Sequence, residues 1–181
     1  MKYLVIVIIA ILVIYVLVTY NVLVKLKNRV DESFSTMDVY LKKRWDLIPN
    51  IVQTVKGYAN HEKTTLSEVI KLRNGVYDDM TNNEKINANQ QLSNNIIKLM
   101  ALAEQYPDLK ANENFKDLSI ELTKLEDEIA NSRKYYNGTV REFNDKVQMF
   151  PSNIVAKIFG YKTKAMFKAS EEEKKNVKVN L

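Results

Sequence analysis

The sequence reads as all-α: an N-terminal transmembrane helix followed by an antiparallel four-helix bundle with long helices. Three observations point there. Residues 3–24 form one uncharged apolar run. The 181 residues hold only four glycines and three prolines, where average usage of about 7% and 5% would give roughly 22 in all. From Val30 onward, apolar residues recur at alternating spacings of three and four, the signature of one helix face. The scarcity of Gly and Pro excludes a β-sandwich or barrel, which turns about every 8–12 residues. It also excludes Gly-rich phosphate loops, because Gly57, Gly75, Gly138 and Gly160 are widely separated.

The first element is the membrane anchor, residues 1–24. From Leu4 to Val18 only Ala10 and Tyr15 are not Leu, Ile or Val. At about −0.3 to −0.6 kcal/mol for each such residue, insertion is favourable by several kcal/mol. At a rise of 1.5 Å per residue, the run spans about 33 Å, enough for a bilayer core. Tyr3 and Tyr20 stand at its ends, where aromatic belts lie. The run is longer than a signal-peptide core and lacks a small-residue cleavage pattern, so it reads as an uncleaved anchor. Lys2 precedes it, whereas Lys25, Lys27, Arg29, Lys42, Lys43 and Arg44 follow it. The positive-inside rule then places the bulk of the chain in the cytoplasm and the N-terminus outside.

Four helices follow within residues 25–168. In the first, Val30, Phe34, Met37, Leu41, Trp45, Ile48, Val52 and Val55 form a stripe that continues past Pro49 to about Gly57. A proline inside a helix removes one hydrogen bond and crowds the preceding turn, so Pro49 predicts a kink rather than an end. The second helix spans about 60–77, with Leu66, Val69, Ile70, Leu72 and Val76 inward. Thr81 and Glu84 form a capping box that opens the third, about 82–105, with Ile86, Leu92, Ile96, Leu99 and Ala103 inward. Tyr106-Pro107-Asp108 ends it. The fourth begins near Asn112, and its stripe is Phe115, Leu118, Leu122, Leu125, Ile129, Tyr136, Val140, Phe143 and Val147, interrupted by Ser132. Gly138 lies inside it, and Pro151 ends it. Short connections make successive helices antiparallel, which returns the fourth helix to the bilayer surface.

There the chain forms a basic–aromatic foot, residues 151–168, in which Ser152 or Asn153 is placed to cap a short helix. Lys157, Phe159, Tyr161, Lys162 and Lys164 are its candidate lipid contacts, because basic and aromatic residues together suit a membrane interface. The same aromatics could instead close the open end of the bundle core. Residues 169–181 are charged and read as a disordered tail.

The chain offers little chemistry. It has no cysteine, which excludes disulfides and thiolate metal sites. Its single histidine, His61, cannot complete a di-iron or HExxH site and reads as a polar residue opening the second helix. Glu126, Asp127 and Glu128 are consecutive helical positions that point in different directions, so they read as a solvated face. Lys42-Lys43-Arg44 reads the same way. No catalytic, cofactor-binding or metal-binding residue emerges, and mixed charges with a net +5 argue against nucleic acid as a partner. The densest unusual group is Arg44, Trp45, Asp46, Pro49 and Asn50, a candidate ligand or partner cleft. Its structural alternative has Trp45 packed in the stripe, with Asp46 and Asn50 bonding backbone groups loosened by Pro49.

Two stretches carry a resemblance. Residues 29–69, RVDESFSTMDVYLKKRWDLIPNIVQTVKGYANHEKTTLSEV, and 141–162, REFNDKVQMFPSNIVAKIFGYK, resemble the bacterial LemA family, with similarity over essentially the whole chain. The resemblance implies a membrane-anchored bundle of four helices and no established enzymatic activity. Trp45 stands where that family usually has Tyr. The expectation is therefore a non-enzymatic interaction or scaffold protein held in the bilayer by residues 3–24, with an unidentified protein partner. The alternatives are a ligand-binding or enzymatic protein using Trp45–Asn50, and a homo-oligomer, since coiled-coil-like heptad stripes also serve self-assembly.

Overall fold

The computed structural model describes residues 1–59, 63–72 and 77–167. Every regular element among the described residues is helical. They are α1 (Lys2–Tyr58), α2 (Lys63–Leu72), a 3-10 turn (Tyr77–Asp79), α3 (Asn82–Ala103), α4 (Pro107–Ala111), α5 (Glu113–Gln148) and α6 (Ser152–Ile158). The expected start of the second helix at 60, together with His61, Gly75, Val76 and the tail, lies outside the described residues, and its expected end at Tyr77 falls in the 3-10 turn. Contacts divide the chain into two compact units, one of Met1–Thr36 with Ser132–Met166, the other of Met37–Asn131 with Phe167.

α1 does not end at Pro49 but continues for nine residues beyond it, to Tyr58. All eight stripe residues from Val30 to Val55 are buried, as their spacing predicts. The buried face is wider than that stripe. Leu47 and Ile51 add a second column, and Ser33 and Arg44 bring polar groups into it.

In the unit that begins at Met37, α2 packs on α3. Leu66 and Val69 are buried, but Ile70 is half exposed, contrary to expectation. A ten-residue helix covered along only one edge leaves the neighbouring column open. α3 begins as its capping box predicts. The Glu84 N–H donates to Thr81 Oγ1 at 3.4 Å, and Glu84 Oε2 accepts from the Thr81 N–H at 2.7 Å. The Thr81 hydroxyl, then its N–H, holds the Glu84 carboxyl below its ordinary pKa. Pro107 both follows the end of α3 and opens α4, where the sequence predicts only a break; proline suits a first helical turn because its missing N–H would have no partner there. Asn112 then caps α5, its Oδ1 accepting from the Phe115 N–H at 3.0 Å.

In the other unit, Ser33 and Thr139 hydroxyls meet at 2.8 Å between α1 and α5, and the Phe34 and Tyr136 rings pack edge to face beside them. The cap expected from Ser152 or Asn153 is absent: Pro151 holds the cap position of α6 without a side-chain bond. Ser152 Oγ faces the Lys146 and Met149 carbonyls instead, at 2.7 and 2.9 Å, and serves the exit of α5. α6 closes on Gly160, whose φ of 73° is the left-handed conformation glycine adopts freely. The Tyr161 N–H donates to the Ala156 carbonyl at 2.9 Å and the Gly160 N–H to Lys157 at 3.2 Å, the paired bonds of a Schellman closure.

Two glycine substitutions should therefore act in opposite directions. A Cβ at Gly138 meets nothing within 4 Å, so Gly138→Ala should stabilise by about 0.5–1 kcal/mol through helix propensity. Gly160→Ala also has space, but it forces alanine into the left-handed region and should cost about 1–2 kcal/mol. Thermal unfolding of the full chain in detergent, read by circular dichroism, should raise the midpoint for the first and lower it for the second.

Candidate functional site

Two polar constructions stand out, one in each unit. The first holds the segment that follows α6. Asn144 on α5 makes a two-point clamp: its Nδ2 donates to the Lys164 carbonyl at 2.9 Å, and its Oδ1 accepts from the Lys164 N–H at 2.8 Å. The Tyr136 hydroxyl donates to the Ala165 carbonyl at 3.0 Å. Lys164 Nζ also pairs with Asp31 on α1, which accepts from Lys27 as well. Partial burial works against the Asp31 charge, but the bonds from Lys164 and Lys27 outweigh it and hold the carboxyl below its ordinary pKa. Burial, and then the Asp31 charge, push the Tyr136 hydroxyl up to about 12.

This clamp sets the foot. Tyr161 lies half-buried between two rings, with centroids 6.4 Å from Tyr20 and 6.2 Å from Phe143. Phe159 packs on Tyr20 at 4.6 Å while half of its surface stays open. Of the five candidate lipid contacts, Lys157, Phe159 and Lys162 are exposed, Tyr161 is partly covered, and Lys164 is committed to Asp31 and Asn144. Lys157, Lys162, Tyr161 and Asn153 line one open groove of about 440 Å³, and Asn153 Oδ1 is buried there without a hydrogen-bond partner.

The second construction surrounds Arg44. Its guanidinium is 1% exposed. Nη1 donates to Glu126 Oε1 and Oε2 at 2.8 and 3.0 Å and to Ser93 Oγ at 2.9 Å. Nη2 donates to the Asn89 carbonyl at 3.0 Å and to its Oδ1 at 2.9 Å. Asn89 Nδ2 donates to the Lys85 carbonyl at 2.9 Å and approaches the Tyr77 hydroxyl at 3.5 Å. Asp38 accepts from both Tyr77 and Lys85 at 2.7 Å. Burial, followed by the bond to Asp38, raises the Tyr77 pKa far above its ordinary value. Arg44 with Glu126 and Lys85 with Asp38 balance their charges, so the cluster is neutral as a whole.

The five residues of the expected cleft do not converge. Arg44 and Trp45 are buried, Trp45 against the Tyr77 ring at 5.3 Å. Asp46 points to solvent and pairs with Lys42 at 3.4 Å rather than with backbone. Pro49 is partly covered, and Asn50 is exposed, lining a separate open groove with Gln53, Thr54, Asn114, Asp117 and Leu118. Two readings of surface charge also change. Arg44 is not part of a solvated basic run, and Glu126 differs from Asp127 and Glu128 because it answers Arg44. The sequence reading missed Asp38, Tyr77, Lys85, Asn89 and Ser93. A retrospective signal exists: Asn89 and Ser93 continue the inward rhythm of Ile86, Leu92 and Ile96. Among the described residues, no three His, Cys, Asp or Glu side chains gather as metal ligands would.

The sequence profile of the LemA family matches residues 33–181. This chain belongs to the LemA family. It is 30% identical over 158 residues to Protein LemA of Metamycoplasma hominis, an alignment covering 87% of this chain and 72% of that protein. It is also 24% identical to Magnetosome protein MamQ 1 of Paramagnetospirillum magneticum, over 83% of this chain and 65% of the relative. For Magnetosome protein MamQ of Magnetospirillum gryphiswaldense the identity is 23%, over 81% and 63%. The LemA-family chain thus spans a little under two thirds of the MamQ proteins it matches. Its α1 is long and apolar enough to cross a membrane, with a mean hydropathy of 2.9 over its most apolar 18 residues and 6% of them buried.

The two constructions in this LemA-family chain should respond differently to change. Glu126→Ala leaves a buried guanidinium without its counter-charge and should cost about 2–4 kcal/mol. Combining it with Arg44→Met should cost less than the two changes summed, by about 0.5–3 kcal/mol. Chemical denaturation of the four variants of this cycle checks the coupling. The folded pKa of Asp31 lies below its unfolded value, so its stabilisation is present at neutral pH. It fades as pH falls through the carboxylate range, below about 4. Asp31→Asn should therefore lower the melting temperature at pH 7 and flatten its fall between about pH 5 and 3.

Proposed function

We propose that this protein is a single-pass, membrane-anchored scaffold without enzymatic activity, whose helices recruit a protein partner at the bilayer. One observation carries the reading. The apolar span is the first part of α1, which continues without a break to Tyr58. No linker separates the anchor from the residues that pack on α5. An antiparallel four-helix bundle is the arrangement that best accounts for the pairings. In the unit containing the anchor, Arg29, Ser33 and Phe34 meet Glu142, Thr139 and Tyr136 in turn, so the numbers fall on one helix as they rise on the other. The excess of Lys and Arg after the span supports a cytoplasmic body with the N-terminus outside.

The partner would meet exposed faces of α1 or α5, and a fixed orientation to the membrane is what a recruiting surface gains from an unbroken helix. A second reading, small-molecule binding near Trp45–Asn50, is favoured by the groove of about 440 Å³ that Asn50 lines. Thermal shifts of the full chain against metabolite panels separate the two: stabilisation by a metabolite, abolished by Asn50→Ala, supports ligand binding over scaffolding. Self-association is the third, and sedimentation of the detergent-solubilised chain reads it.

Proximity labelling from the full chain in native membranes should return a reproducible partner, and crosslinking should place it on this protein's helices. Absence of any reproducible neighbour would overturn the scaffold. Because the chain has no cysteine, Asp127→Cys supplies a single exposed thiol. It should resist membrane-impermeant thiol reagents in intact cells and react after lysis; rapid labelling of intact cells would reverse the orientation.

A further inference from the structure

The foot carries an apolar surface distinct from its basic residues. Met149 and Phe150, at the turn after α5, are 63% and 79% exposed, and Ile154 and Ile158 on α6 are 52% and 69% exposed. Ile154 and Ile158 are one turn apart on α6 and share a face, opposite the buried Val155 and Ala156. Together with the open half of Phe159, these form one unpartnered apolar edge.

Its place along the anchor identifies what covers it. Phe159 and Tyr161 pack on Tyr20, and Thr19 and Leu23 on the same helix are buried, while residues 4–14 are bare on every side. The foot therefore meets the last turns of the apolar run rather than the polar helix beyond it. Tyr20 precedes Val24, the last apolar residue of the run, by four residues, or about 6 Å along the axis. An interfacial segment buries its apolar face about 5–10 Å into the headgroup–acyl boundary, so the contact with Tyr20 falls within that depth. Lys157 and Lys162 flank the apolar edge and are exposed, as side chains that reach headgroup phosphates must be.

We infer that the foot is a membrane wedge: Met149, Phe150, Ile154 and Ile158 insert among the acyl chains of one leaflet, beside the helix that crosses it. The wedge rests on the anchoring proposed above. It gives the protein a larger cross-section in one leaflet than in the other, and it fixes the rotation of α1 about its axis, which a lone apolar helix leaves free. What covers the edge is lipid of the bilayer that α1 spans.

The test uses the full chain in vesicles of phosphatidylcholine and phosphatidylglycerol, with single cysteines carrying a spin label. Positions Phe150→Cys and Ile158→Cys probe the wedge, Ile11→Cys the anchor, and Ile120→Cys an exposed control. Power saturation compares access to oxygen, which partitions into lipid, with access to a water-soluble nickel chelate. Labels at positions 150 and 158 should favour oxygen several-fold more than the label at 120 and approach the label at 11. Aqueous readings at 150 and 158 with a lipid reading at 11 would overturn the wedge and leave the anchor standing. Aqueous readings at 11 as well would overturn both. Shielding of 150 and 158 from both reagents, with broadening between labels, would assign the edge to a second copy and also overturn the wedge. Circular dichroism of each labelled chain, matched to the unlabelled protein, shows that the surface substitutions leave the fold intact.

Discussion

A guanidinium removed from water needs a counter-charge and hydrogen bonds within the protein, and Arg44 finds the charge and the partners of both terminal nitrogens on two other helices. Glu126 supplies the charge, Ser93 and the backbone and side chain of Asn89 accept further bonds from the two terminal nitrogens, and Nε is buried without a partner. Each of these positions follows from the demand of the buried charge. A shift of α3 or α5 by one residue along its axis would leave a desolvated donor unpaired, at a cost larger than most apolar contacts recover. The network therefore specifies register where leucines and isoleucines alone would tolerate sliding. Asp38, Tyr77 and Lys85 extend the same constraint from Asn89 back to α1.

The unit that begins at Met1 solves a different problem with an amide, a hydroxyl and one ion pair. An extended segment has no neighbours of its own to satisfy its backbone, and Asn144 presents an amide that pairs with Lys164 as another peptide would. Tyr136 and Asp31 hold the same stretch, one through a carbonyl and one through the lysine. With that return fixed and Gly160 turning the chain, Phe159 and Tyr161 are carried onto Tyr20. The foot is thus placed by a few polar bonds, and its apolar edge stays bare because the interior of the unit is already filled by Phe143, Val140 and Val155.

Function follows from where these constraints act. The polar clusters are spent on holding helices and on positioning the foot, and the five residues that looked like a cleft divide between core and surface. What the chain presents outward is an apolar helix continuous with the packed body, an apolar edge beside it and long charged faces. That distribution favours a protein whose work is to hold a surface at a membrane.

Much of this was legible in one dimension. The apolar run, the stripes of α1, α3 and α5 and the Thr81–Glu84 cap are local or periodic features, and a helix's period and its end bonds involve residues only three or four apart. The misreadings share one cause. Residue type and spacing say little about Ile70, Arg44 and Glu126, whose burial or bonding depends on partners dozens of residues away or on which edge of a helix is covered, or about Ser152, which turns back to the exit of α5 instead of capping α6. Arg44 looks like any basic surface residue until Glu126, 82 positions later, stands within 2.8 Å. The sequence alone determined the helical class, an apolar helix of membrane-spanning length and most of the inward faces, because those depend on local hydrogen bonding and on the transfer of apolar side chains from water. Only the tertiary structure decided which charge is buried, where the foot meets α1 and which of its apolar residues remain exposed, because those depend on contacts that close across the chain.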